Sequence, residues 1–191
     1  PKALSKKRRL TFDEDELSNE EIERIKLVGR KTCEVVGHIA DFIKSHKAAD
    51  GKMVKDDGNS LTVGDCKSEI KLSLARRKLI EEVDTIFAIG RDAGIPHSRG
   101  NDDDPIEIGK TIVFDIFPQE EGGGYFFDMT RTFVIGEAPD EVREAYAQLE
   151  EFQDTVTAAL RAGEKASVYQ TMTCDFMEAH GHETPRTDPQ V

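Results

Sequence analysis

The sequence is poor in the groups that staple, anchor or cross-link a chain. Only three cysteines, Cys33, Cys66 and Cys174, stand among 191 residues. No two are spaced as CxxC. That excludes a thiol zinc cluster and a disulfide framework, and points to small buried thiols in a reducing, cytoplasmic setting. No apolar run approaches the ~18–20 residues of a membrane span, and the mean hydropathy is −0.53. Basic residues are in deficit, 26 Lys and Arg against 38 Asp and Glu, for a net charge of −12. Such a field repels phosphate, which argues against a nucleic-acid module. The basic opening PKALSKKRRL runs into FDEDELSNEE instead of an apolar stretch, so it is no secretory signal. KKRR there reads as a solvated basic stretch. No Met begins the chain, which suggests processing or a cut from something longer, and no internal repeat is evident. The length fits one domain of ~100–200 residues, with enough chain for a core that needs no staples.

What is present is patterned. Residues 1–17 lack periodicity and read as a linker or tail. Ser18 and Glu21 form an S-x-x-E capping box. Ile22, Ile25, Val28, Val36, Ile39 and Ile43 then line one face of a long helix. Ala48 to Ser60 is polar with two Gly and reads as a loop. A second helix is predicted from Thr62, with Asp65 completing a weaker box and Val63, Cys66, Ile70 and Leu74 as its apolar face. Strands are predicted at Val83–Gly90, Thr111–Phe117 and Tyr125–Gly136, the last two joined as an antiparallel hairpin through the turn-like PQEEGGG. Pro139 and Asp140 open a helix with Val142, Tyr146, Leu149, Phe152, Val156 and Leu160 on one face and Gly163 as its C′ residue. A last helix runs from Ser167 to His180, stopped by Gly181. Helices and strands are grouped instead of alternating, which favours α+β with an antiparallel sheet.

Two acids interrupt the apolar strands: Asp115 within TIVFDIF and Asp128 within YFFDMT. Carboxylates are disfavoured in strands and costly to bury unpaired. Each side chain has a fixed face, so two acids on one face of one hairpin make a hard-oxygen site suited to Mn, Mg, Ca or Zn. The residues alone leave a second reading open, a structural pairing such as Asp128 with Arg131 or Asp115 with a lysine. His97, in the loop GIPHSRG, is restricted by Pro96 and is a better candidate than His38 or His46. His180 and His182 fit a helix end favourable to imidazolium, and Asp102, Asp103 and Asp104 read as a solvated acidic run.

The succession AIGRDAGIPHSRG, IEIGKTIVFDIFP and YFFDMTRTFVIGEAPDEVREAY resembles the metallopeptidases of the pita-bread fold, which include methionine aminopeptidase, aminopeptidase P and prolidase. D-M-T-R-T-F looks most like the Xaa-Pro peptidase branch, and NEEIERIKLVGRKT resembles that family's first helix. The resemblance runs from about residue 18 to the end. It implies residues 18–191 as the N-terminal part of a catalytic domain, with an incomplete pita-bread sheet and helices packed on one side. It also implies two divalent metals, manganese first, cobalt or zinc as alternatives, bridged by water and held by two Asp, one His and two Glu. Asp115 matches the first Asp and Asp128 the bridging one, while His97 matches the loop His that contacts substrate. The substrate implied is a peptide with proline in second position, and the assembly a homodimer. Two departures stand out. Asp128 follows Asp115 by thirteen positions, a couple more than usual, which a longer turn or a bulge in PQEEGGG would absorb. The segment carrying the metal His and both Glu is absent, so the chain reads as the front part of a longer enzyme. The competing readings are a non-catalytic pita-bread binding module and a creatinase-like hydrolase of a C–N bond.

Overall fold

The computed structural model describes residues 17–188; the linker and KKRR readings at the N-terminus fall almost wholly outside them. The described residues belong to two compact units that divide after Gly136.

The first unit begins with α1, Asn19–Lys44, and the expected box closes it. The Ser18 N–H donates to Glu21 Oε2 at 2.9 Å, and the Glu21 N–H donates back to Ser18 Oγ at 3.3 Å. Two of the otherwise unpaired first-turn donors are satisfied this way. The Glu21 carboxyl is held at about 2, chiefly by the Tyr125 hydroxyl, then by Ser18 and by the Arg24 charge. A carboxyl depressed in the folded state stabilises above its unfolded pKa of about 4.3, and that stabilisation is lost as the pH falls toward 2. Glu21→Gln is therefore expected to flatten the melting temperature against pH between about 4.5 and 2. Thermal melts across that range check it, and an unchanged slope would contradict the assignment.

Strands β1, Lys47–Ala49, and β2, Lys52–Val54, form a small antiparallel hairpin where a loop is expected. Only Met53 of its residues is buried, so no apolar alternation marks it. The signal is its turn, Asp50-Gly51, with both residues at positive φ (48° and 75°), as a two-residue hairpin requires. Helix α2, Val63–Arg76, carries the expected Thr62–Asp65 box, and Val63, Cys66, Ile70 and Leu74 are all buried. Burial pushes the Cys66 thiol up to about 12. Cys174 is buried too, but Cys33 is exposed, against the expectation for all three.

Strand β3, Leu79–Ile80, pairs with β6, Gln119–Glu120. The main sheet has the order β4-β5-β7: Ile86–Ile89, Thr111–Ile116 and Met129–Val134, antiparallel throughout. Alternation divides its residues. Phe87, Ile112, Phe114 and Ile116 face α1 and α2 in one core with Val28, Val35, Ile39, Ile43, Ile70 and Leu74. Phe114 is fully buried and meets Phe87 edge-to-face at 5.3 Å. Phe114→Ala is expected to cost about 3–5 kcal/mol, read as a lower urea midpoint. The opposite face, with Ile86, Ala88, Val113 and Asp115, borders open space.

The second unit is a pair of helices, α3, Asp140–Ala159, and α4, Ala166–Ala179, joined by Phe152 against Phe176 at 5.1 Å. Gly181 follows α4 at φ 81°, as expected of a stop. Helix α3 ends earlier than its pattern: Leu160 turns extended (ψ 131°), and Gly163 supplies the left-handed bend of the connection (φ 82°) instead of C′. Its expected apolar face is not buried, with Tyr146, Leu149 and Leu160 more than half exposed.

Candidate functional site

The exposed face of the three-stranded sheet is the floor of a cleft of about 270 Å³. Ile86, Ala88, Val113, Asp115 and Thr130 rise from the strands, and residues 92–98 form one wall.

Asp115 sits opposite Thr130 in the ladder, and the Thr130 hydroxyl donates to Asp115 Oδ1 at 2.8 Å. Asp128 lies just before β7. The pairing Ile116 with Met129 resumes, three residues further along each strand, as Gln119 with Phe126. No residue has been inserted between them, so Phe117 stands opposite Asp128. The ladder lapses there because Pro118 has no N–H to give. It accepts from the Phe127 N–H at 3.0 Å and cannot return the bond. Period-two alternation then puts Asp128 on the face of Thr130, and hence of Asp115. They are diagonal neighbours, with Cα atoms about 7–8 Å apart. The extra length in PQEEGGG is a longer turn at Glu121–Gly124, not a bulge.

The structural pairings weighed for these acids do not form. Arg131 is on the other face from Asp128 and donates to the Thr130 carbonyl at 2.7 Å. Among the described residues no cation pairs with Asp115 or Asp128. Asp115 lines the cleft, whereas Asp128 shares its face of the sheet without being one of the lining residues. Two carboxylates on one face without a counter-ion repel each other, and a divalent cation relieves that repulsion. No cluster of three or more His, Cys, Asp and Glu able to hold a metal occurs among the described residues.

His97 borders the same cleft. The Ser98 N–H donates to the Ile95 carbonyl at 3.0 Å, with Pro96 and then His97 at the two central positions. His97 has φ 60°, the pattern of a type II turn with Pro at its second position. Gly is the usual third residue, and a side chain there costs about 1–2 kcal/mol. The chain therefore holds an imidazole at the cleft wall against a local conformational preference.

Two features of the site lack an obvious mark in the sequence. Thr130 is identified only by the register that sets it across from Asp115. Gly100 (φ 74°) presses its α-carbon onto β4, and a Cβ there would stand 2.9 Å from the Ala88 Cα. The acidic run beyond it is more than solvated surface. The Asp104 and Asp102 carbonyls accept from the Val63 and Gly64 N–H groups at the start of α2, and Asp102 pairs with Lys67 at 2.7 Å.

The other histidines are occupied elsewhere. His38 donates to Glu69 at 2.7 Å and His46 to the Phe42 carbonyl at 2.8 Å. His180 stacks on Phe176 and donates to its carbonyl, while His182 donates to Gln148 at 2.9 Å.

Comparison with known proteins gives matches along most of the chain. The family model described as "Metallopeptidase family M24" matches residues 23–187. An Xaa-Pro dipeptidase of Lactobacillus delbrueckii subsp. lactis is 30% identical over 99 residues, 52% of this chain and 26% of that protein. Among solved structures, an X-Pro aminopeptidase from Thermotoga maritima superposes with a TM-score of 0.70 at 23% identity, covering 86% of this chain and 42% of that one. A prolidase from Pyrococcus furiosus gives 0.68 at 21%, covering 86% and 44%. At these identities the two structures establish the fold, the antiparallel pita-bread sheet with helices on one side. The chain spans less than half the length of each of these relatives.

Proposed function

The chain belongs to metallopeptidase family M24, and from that premise we propose that it supplies the front part of a metal-dependent peptidase that cleaves the bond before a proline. Residues 18–191 form the N-terminal part of the catalytic domain in this reading. The observation that carries it is a cleft lined by Asp115 and a strained His97 turn, with Asp128, a second uncompensated carboxylate, on the same face of the sheet.

Asp115 and Asp128 would hold the divalent ions, with manganese the first choice and cobalt or zinc the alternatives. Bound there, the ions would lower the pKa of a shared water and polarise the scissile carbonyl. The chain's own groups do the rest. The Thr130 hydroxyl occupies one oxygen of Asp115 and so fixes the plane of that carboxylate. His97, at the cleft wall, would donate a ring N–H to the substrate's carbonyl oxygen. Ile86, Ala88 and Val113 on the floor and Pro96 on the wall would give an apolar lining for the substrate's side chains. Two acids facing a cleft count against a purely binding module, which gains nothing from their repulsion. The protein is read as cytoplasmic and homodimeric.

The test is hydrolysis of an Xaa-Pro tripeptide by the whole protein, stripped with a chelator and reconstituted with Mn²⁺. Release of the N-terminal residue is expected with Mn²⁺, with at least about 100-fold preference over the Xaa-Ala analogue, since specificity of that order needs about 3 kcal/mol. A folded protein inactive with every divalent ion would overturn the reading.

A further inference from the structure

Helix α1 lies along the strand segment that carries Asp128, and the two match in spacing. The Arg24 guanidinium sits 5.1 Å over the Tyr125 ring. Gly29 is buried against Phe127, so closely that a Cβ would stand 2.6 Å from the ring. Cys33 Sγ is 3.9 Å from Met129 Sδ. From residue 24 to residue 33 a helix advances about 13.5 Å, and from residue 125 to residue 129 a strand advances about 13.6 Å. The helix therefore engages three successive odd-numbered residues of the strand. Alternation leaves Asp128 and Thr130 on the face turned away from it, toward the cleft.

The start of this contact is latched. The Tyr125 hydroxyl donates to Glu21 Oε1 at 2.6 Å, and Arg24 Nη2 donates to Glu120 Oε2 at 2.5 Å. The Tyr125 N–H also donates to Glu120, at 3.3 Å. Both sides of the hairpin tip are thus tied to the first turns of α1. The latch reinforces the place where the ladder is thinnest. Pro118 removes one ladder bond beside Asp128, so backbone pairing is thinner there than in the rest of the hairpin, and the glycines of the tip add no stiffness.

We propose that α1 is the template that sets the register of Asp128, with Tyr125 and Gly29 as positioning residues of the metal site. This rests on the reading of Asp115 and Asp128 as metal ligands. Tyr125 touches neither metal nor substrate, and acts by holding the strand so that the carboxylate presents itself to the cleft. Gly29 acts by its absence of a side chain, which lets Phe127 seat fully and fixes the pleat one residue before Asp128.

The experiment is calorimetric titration of the whole protein with Mn²⁺, for the wild type, Tyr125→Phe, Gly29→Ala, Asp128→Ala and Tyr125→Phe/Asp128→Ala. Removal of groups that orient a ligand typically weakens metal binding 10–100-fold, so Tyr125→Phe and Gly29→Ala are expected to raise the Mn²⁺ Kd by roughly 10-fold. Tyr125→Phe is expected to add nothing in the Asp128→Ala background, because its effect passes through that residue. Gly29→Ala separates positioning from general stability. Ala is the better helix former, so a helix-only role predicts no weakening of metal binding. Wild-type affinity in both single variants, with Asp128→Ala impaired, overturns the proposal. If Asp128→Ala binds Mn²⁺ like the wild type, it is the metal reading that fails. Amide exchange of residues 125–129 then decides the template alone: faster exchange in Tyr125→Phe supports it, and unchanged exchange overturns it.

Discussion

Asp128→Ala is expected to weaken Mn²⁺ binding by the whole protein at least about 100-fold, the upper end of what loss of a supporting group alone costs. Stability should hardly change. Asp128 is exposed and accepts no hydrogen bond among the described residues, and surface substitutions of that kind usually stay within about 0.5 kcal/mol. Removing one of two facing carboxylates also relieves their repulsion, which works against any loss. The large effect on binding and the small one on folding are the signature of a ligand. A structural acid gives the reverse, a falling melting temperature with metal affinity kept. Titration calorimetry beside thermal melts distinguishes them in one pair of measurements.

Gly100→Ala is expected to be the most damaging single-methyl change in the first unit. The backbone is left-handed there (φ 74°), and the added carbon would overlap the Phe87 carbonyl and stand 2.9 Å from the Ala88 Cα. Both obstacles are strand backbone, which no rotamer change can move aside. The segment must lift from β4, losing the bonds from Lys67 to the Gly100 carbonyl and to Asp102 and the carbonyls that cover the start of α2. A cost of about 2–4 kcal/mol in urea unfolding follows from the strain together with the lost bonds. His97 is only three residues upstream, so kcat should fall as well. Gly58→Ala is the control. Its φ is 84° with nothing within 4 Å of the added carbon, so it carries only the left-handed penalty of about 1–2 kcal/mol. Equal losses in the two variants would refute the close-approach explanation.

The parts of the fold legible in the sequence are those whose cause is local. The Ser18–Glu21 and Thr62–Asp65 boxes place the starts of α1 and α2 because capping is decided within four residues. The apolar face of α2 and the hairpin of β5 and β7 follow from periodicity, since each has a buried side. The β1–β2 hairpin escaped because its strands bury almost nothing, and only the Asp50-Gly51 turn announces it. The apolar stripe of α3 was legible as a stripe, yet periodicity says which face is apolar and not what covers it.

The candidate site divides along the same line. Asp115 and Asp128 stood out because an acid inside an apolar strand conflicts with its surroundings, and such conflicts concentrate at functional positions. Their common face depended on a turn length in which one residue more or fewer would reverse the pleat. Thr130, Gly100 and the contact between α1 and Tyr125 depend on pairings between residues far apart in the chain, about 100 positions in the last case. No local pattern encodes those. The family resemblance supplied the role proposed for His97, whereas the physical oddity of that residue, a left-handed backbone, becomes visible only in three dimensions.

Asp115 and Asp128 are proposed to form a divalent-metal site on the cleft side of the sheet. Anomalous scattering at the manganese edge, from crystals of the whole protein soaked in Mn²⁺, tests it most directly. An anomalous peak is expected within bonding distance, about 2.0–2.4 Å, of oxygens from both carboxylates on the cleft side of the sheet. An active, Mn²⁺-saturated protein with no peak there, or with its peak at another set of residues, would contradict it.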